Sequence, residues 1–228
     1  MLINKIIFIL SLAYLSLSGS ELIELDSKTK QLLKTALSQN NSFAISYITA
    51  TAHRAGDEKN GYEKNTQKAY YYYEKSGKKL ATSLYSIGEM YLSGELKPDS
   101  NSTNKNTAIY WFKKATNCID CIDHKIVNPL ASTAIGGIYL TEKKIPLAYA
   151  YLKKGAELGA AEAQFTLAFL LADKESGIQD FNMADRWINI AYNNPKLTTE
   201  KKRIIEEWAT TGEHLKEKAC SSKKGKQL

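Results

Sequence analysis

One pattern of spacing recurs four times in this chain and limits what it can fold into. Ala69 is followed by Tyr72 and Ser76, Ala108 by Trp111 and Ala115, Ala148 by Tyr151 and Gly155, and Ala184 by Trp187 and Ala191. Each set reads small, aromatic at +3, small at +7, and the starting alanines lie 39, 40 and 36 residues apart. Ahead of the last three sets stand Ile87-Gly88 with Tyr91, Ile135-Gly136 with Tyr139, and Leu167-Ala168 with Leu171. A period in the high thirties means one supersecondary unit stacked on copies of itself. Positions i, i+3 and i+7 share one face of an α-helix. Small residues on that face let two backbones approach, and the aromatic at +3 is expected to fill the gap as the core residue. A glycine inside a helix costs about 1 kcal/mol relative to alanine, so Gly88 and Gly136 predict a neighbouring helix pressed against them. Neither helix of a unit buries its stripe alone, so the units must stack.

Two stretches carry a closer resemblance. Lys153-Lys154-Gly155-Ala156-Glu157-Leu158-Gly159-Ala160 leads to Ala163-Gln164-Phe165-Thr166-Leu167-Ala168 and on to Ala184-Asp185-Arg186-Trp187. Ser83-Leu84-Tyr85-Ser86-Ile87-Gly88 runs similarly into Ala108-Ile109-Tyr110-Trp111-Phe112-Lys113-Lys114-Ala115. This resembles the Sel1-like repeat, a variant of the tetratricopeptide repeat, over residues 42–195. The resemblance implies an all-α fold, a right-handed superhelical solenoid of antiparallel helix pairs with terminal capping helices. It implies protein–protein contacts as the function, in bacteria for regulation and envelope assembly.

The amino terminus reads as a targeting segment. Lys5 precedes the apolar run Ile6 to Leu17, and Ser18-Gly19-Ser20 supplies small residues before a cut at Glu21. Twelve residues fall short of the ~20 that span a bilayer, so residues 1–20 are expected to be a cleaved secretory signal. The mature chain would then be secreted or periplasmic, with no membrane span. Residues 21–41 are expected to form a capping helix that starts at Asp26-Ser27 and carries Leu32, Leu33, Ala36 and Leu37. Residues 196–228 read as a second cap, with Ile204, Ile205, Trp208 and Leu215 on one face, running into a tail with Lys216, Lys218, Lys223, Lys224 and Lys226. The formal charge of +7 is modest, and no groove-reading motif is present, so nucleic acid is not an expected partner.

Two segments interrupt the repeat. Gly94 to Asn106 is a polar loop, and within it Asn101-Ser102-Thr103 satisfies the N-x-[ST] acceptor pattern. From Ala115 to Gly136 about eight residues are inserted, including Cys118, Cys121 and His124. Haem attachment would need His directly after the second Cys, and Ile122 stands there. A metal site would lack a fourth ligand. A local disulfide between Cys118 and Cys121 suits an exported chain, and the segment is expected on the surface. Cys220 is left over, free or paired elsewhere.

Catalytic motifs do not assemble. Ser-x-x-Lys occurs at Ser27, Ser76, Ser102 and Ser221 with no accompanying S-D-N triplet, and His53, His124 and His214 lie on three separate segments. The expectation is no enzyme, no cofactor and no metal. Tyr70-Tyr71-Tyr72-Tyr73 reads as core and groove wall, with Tyr72 the core residue. By the resemblance, positions −6, −3, +1 and +4 from the Gly or Ala of each first helix face a partner. These are Thr82, Tyr85, Glu89 and Leu92; Leu130, Thr133, Gly137 and Leu140; and Glu162, Phe165, Phe169 and Ala172. Phe169 is expected at the surface as an aromatic anchor; Tyr85 and Phe165, at −3, are either further anchors or, as is usual for this repeat, pack on the neighbouring helix. The expected partner is another protein, bound by an envelope adaptor or regulator. The alternative is an immunity protein that neutralises a secreted toxin or lipase.

Overall fold

The computed structural model describes residues 42–56 and 61–211; residues 1–41 and 212–228, with the signal, the first cap, His214, Leu215, the lysine tail and Cys220, lie outside them. Among the described residues there are nine α-helices and no strand. They are α1 (Ser42–Ala55), α2 (Thr66–Ser76), α3 (Ala81–Leu92), α4 (Asn104–Asn117), α5 (His124–Thr141), α6 (Ile145–Glu157), α7 (Ala161–Ala172), α8 (Phe181–Asn193) and α9 (Thr199–Thr211). The first eight pair off as α1/α2, α3/α4, α5/α6 and α7/α8, and each pair packs on the next. The described residues form an all-α solenoid of helix pairs.

Local chemistry starts the second helices. Asn65, Thr103 and Asp180 each accept a backbone N–H of the first turn, from Lys68, Asn106 and Met183 at 2.9, 3.2 and 2.9 Å, meeting donors that a helix start leaves without partners. α6 instead carries Pro146 in its first turn. Gly56 and Gly94 follow the first helices of units one and two with φ of +80°, the left-handed conformation that ends a helix and favours glycine.

The small residues do what their spacing predicts, with one correction. A Cβ built on Gly88 would lie 2.6 Å from the Phe112 ring. One built on Gly136 would lie 2.7 Å from Leu152 Cγ and 3.0 Å from its backbone nitrogen. Both partners are at +4 of the second-helix stripe, not +3. Tyr73, Phe112, Leu152 and Ile188 occupy +4 and are 0, 1, 1 and 7% exposed. At +3, Trp111 is buried, but Tyr72, Tyr151 and Trp187 are only half-buried. The core residue of the tyrosine run is therefore Tyr73, while Tyr72 stacks beside His53 at 6.1 Å. The tilt of side chains towards the helix N-terminus turns the +4 residue, with +0 and +7, onto the facing helix.

The insertion becomes mostly helix. Pro129 aligns with Ala81 and Ala161, the first residues of α3 and α7, seven before the small position. α5 starts earlier, at His124, so residues 124–128 extend it ahead of Pro129. The remainder, residues 118–123, is not the plain surface connection expected. Ile119 and Ile122 are exposed, but Cys121 and Asp123 are 5 and 1% exposed. They lie against the α2–α3 turn, where the Ile122 N–H donates to Lys79 O at 3.1 Å.

The apolar core falls into two clusters that meet at α5. One runs from Ala44 to Ile138 and the other from Leu140 to Ile205, with Tyr139 packed against both.

Candidate functional site

The positions expected to face a partner do not form one open surface. In unit two, the Thr82 N–H and hydroxyl both donate to the Asp123 carboxylate, leaving Thr82 2% exposed. Tyr85 packs on Phe112 with ring centroids 4.9 Å apart and is 7% exposed. In unit three, the Thr133 hydroxyl donates to Pro129 O at 2.7 Å and lies where a Cβ on Gly155 would strike it. Gly137 is buried. In unit four, Glu162 pairs with Lys201 of α9, and the same ammonium lies 5.7 Å from the Phe165 ring. Phe165 contacts Phe169 at 4.7 Å, and Phe169 meets Trp208 of α9 at 5.9 Å.

This corrects the expectation of accessible aromatic anchors. Tyr85, Phe165 and Phe169 are at most 7% exposed. Tyr85 is taken up by the second helix of its own unit. Phe165 and Phe169 are covered by the face of α9 that carries Lys201, Ile205 and Trp208. The reason is the C-terminal helix, which lays Lys201, Ile205 and Trp208 over the part of unit four that Phe165 and Phe169 would otherwise present.

What stays open lies towards units one to three. Arg54 at the end of α1 grips Glu95 in a bidentate pair, Nη2 to Oε1 at 2.8 Å and Nε to Oε2 at 3.1 Å. Its other nitrogen lies 3.6 Å from Glu89. The Glu89 side chain is 15% exposed, and burial pushes its carboxyl up to about 7 against the pull of Arg54. Burial works in the same direction on Glu95, but the Arg54 hydrogen bonds outweigh it and hold that carboxyl below its ordinary value. Deeper in, Thr51 and Tyr73 share a hydrogen bond of 3.2 Å between hydroxyls, and burial raises the phenols of Tyr47 and Tyr73. Leu92 of α3 and Leu130 of α5 are half-buried and pack against the first core cluster. Of the two charged residues singled out from sequence, Glu89 keeps 15% of its side chain exposed beside Arg54 and Glu162 keeps 37% beside Lys201.

Arg54 escaped notice because unit one matches the repeat poorly in its first helix. Its signal was available: Gly56 and Gly94 occupy the same place after α1 and α3, which puts Arg54 at the position of Leu92.

Cys118 and Cys121 are joined by a disulfide, with Cα atoms 5.3 Å apart. The His53 and His124 rings contact backbone carbonyls, of Glu63 and Thr116, each at 3.0 Å. Among the described residues no three His, Cys, Asp or Glu side chains cluster as a metal site would require, and no helix is long and apolar enough to cross a membrane. Asn101 is exposed in the turn before α4.

The family model of the Sel1 repeat matches residues 49–79, 81–118 and 135–159. These stretches take in most of the first three helix pairs; α7/α8 repeats the geometry beyond the last of them. No curated protein matches the chain.

Proposed function

This is a Sel1-like repeat protein, of a kind that serves generally in protein–protein interaction, and we propose that it is an exported adaptor or regulator. It binds one protein partner along the groove side of units one to three and catalyses no reaction itself. The observation that carries this reading is the division of the predicted partner face. α9 fills the unit-four part, while Arg54, Glu89, Leu92 and Leu130 stay reachable on α1, α3 and α5. They combine two half-buried leucines with one cation shared between two carboxylates, groups that would select a partner by charge as well as by shape. The signal-like segment 1–20 supports export.

The test uses the mature chain as bait in an extract of the exported fraction. Leu92→Asp with Leu130→Asp should abolish capture of its partner. Tyr110→Asp, at a residue 53% exposed on the second helix of unit two, should leave capture intact. Loss with Tyr110→Asp alone would place the interface on the second helices and overturn the proposal. Terminal sequencing of the mature protein should begin at Glu21; an intact Met1 would remove the export part.

A further inference from the structure

One helix start without a side-chain cap of its own is closed from far along the chain. α3 has Leu80 at its N-cap and no side-chain cap of its own. Its first amides have no acceptor inside the helix. They are met from the next unit instead: Ala81 N–H donates to Asp123 Oδ1 at 2.7 Å, and Thr82 N–H to Oδ2 at 2.9 Å. The Thr82 hydroxyl donates to the same carboxylate. Asp123 is 1% exposed, so salt and water screen this charge-assisted contact little. The carboxylate also faces the positive end of the helix.

What delivers Asp123 is a six-residue connection. It leaves α4 at Cys118 and enters α5 after Asp123. The disulfide closes its first four residues, Cys121 N–H donates to Cys118 O at 3.0 Å, and His124 N–H donates to Cys121 O at 3.2 Å. Two residues past the bond, Asp123 is left little freedom of position. We propose that the Cys118–Cys121 disulfide is a redox-controlled latch. Oxidised, it holds Asp123 on the N-terminus of α3 and fastens unit three to unit two; reduced, it frees the connection and opens that contact. The proposal stands apart from any reading of the partner.

The two sulfurs are not equivalent. Cys118 is half-buried and Cys121 is 5% exposed, so attack falls on Cys118. A dithiol reductant, as its thiolate, forms a bond to Cys118 Sγ. The S–S bond breaks, and Cys121 Sγ leaves with the electron pair and takes a proton. The second thiol of the reductant then displaces Cys118, which is protonated in turn. Two electrons and two protons reach the protein, and the dithiol ends as a disulfide. The new Cys121 thiol has an acceptor at hand, since Gly77 O lies 3.8 Å from its sulfur. Without the bond, four residues regain backbone freedom that the Asp123 contact must again overcome.

Amide hydrogen exchange on the full chain, followed by NMR, tests the latch. The Ala81 and Thr82 amides report on it because Asp123 is their acceptor. On reduction by dithiothreitol, confirmed by the mass gain of two hydrogens at the cysteine pair, both should exchange at least tenfold faster. Amides of α8 should not change. Asp123→Ala in the oxidised protein should reproduce the same local rise, and Cys118→Ser with Cys121→Ser should match the reduced wild type. Should the Asp123 variant not fold, the reduced wild type decides alone. Unchanged exchange at Ala81 and Thr82 after complete reduction would show that the carboxylate holds the connection unaided, and would overturn the latch. An equal rise in α8 would mark a general loss of stability and overturn it as a local device.

Discussion

Helices α3 and α7 hold the same place in units two and four, yet they are closed by different chemistry. α3 buries Thr82, Ser83 and Ser86. Its hydroxyls are satisfied across units, Thr82 by Asp123 and Ser83 by Ser76 at 2.7 Å between oxygens. Its groove side stays partly open, with Glu89 beside Arg54. α7 buries every residue but Glu162, nearly all of them Ala, Leu or Phe, and its groove side is covered by α9. Its principal polar tie is Gln164, which donates to Ala156 O at 3.1 Å and accepts from Asn194 at 2.9 Å. Burying a hydroxyl without a partner costs free energy. Unit two therefore depends on particular long-range contacts, whereas unit four depends on shape and a lid. The comparison teaches where each end is vulnerable: α3 to the loss of one distant carboxylate, α7 to the loss of its cover.

The sharpest way to break this comparison is to fill the space beside the interhelical glycines. Gly88→Leu and Gly136→Leu should each cost about 3 kcal/mol, because Phe112 and Leu152 are fully buried and neither can retreat. An unchanged melting temperature in either variant would mean that these residues do not set the helix spacing. The next effect belongs to α3 alone. Asp123→Ala should cost about 2 kcal/mol in urea denaturation, since two amides and a hydroxyl lose a charged acceptor. Gln164→Leu, its counterpart on α7, should cost about 1 kcal/mol. A larger loss for Gln164 than for Asp123 would reverse the assignment of polar and apolar closure.

A pH series sharpens the open side of unit two. The Glu89 carboxyl has a folded value of about 7 against an ordinary 4.5. The native state therefore binds this proton more tightly than the unfolded chain. Its contribution is complete below pH 4.5 and is lost as pH rises through about 7. The decline should be about 3 kcal/mol, and Glu89→Gln should abolish it across that window. A variant with the same pH profile as the wild type would relocate the effect. The smallest change is expected at the lid. Trp208→Ala, at a half-buried ring on α9, should cost about 1 kcal/mol or less and speed amide exchange in α9 before α7. Global destabilisation there would show that the lid is integral to the core.

The repeat and its helix pairs were legible in the spacing of small residues because packing of that kind is written in local periodicity. So were the interhelical roles of Gly88 and Gly136. The +4 core residue was legible in principle, since Tyr73, Phe112, Leu152 and Ile188 are all large. The more conspicuous aromatics at +3 drew the assignment one position too early. The candidate site was less readable. Thr82 meets a residue 41 positions away and Glu162 one 39 positions away, and no spacing rule foretells such pairs. Phe169 belongs to a position that faces outward in an internal unit only if nothing stacks upon it, and α9 does.

The pairing of first-helix glycine with the +4 residue has a consequence for how such a protein could be rearranged by recombination. The two halves of each lock sit on one unit, Gly88 with Phe112 and Gly136 with Leu152. A crossover between units carries each lock over whole. A crossover inside a unit would set Gly88 against a leucine, leaving a void, or Gly136 against a phenylalanine ring in a space shaped for a branched chain. Chimaeras cut at the joints should therefore inherit sound cores, and those cut between paired helices should not.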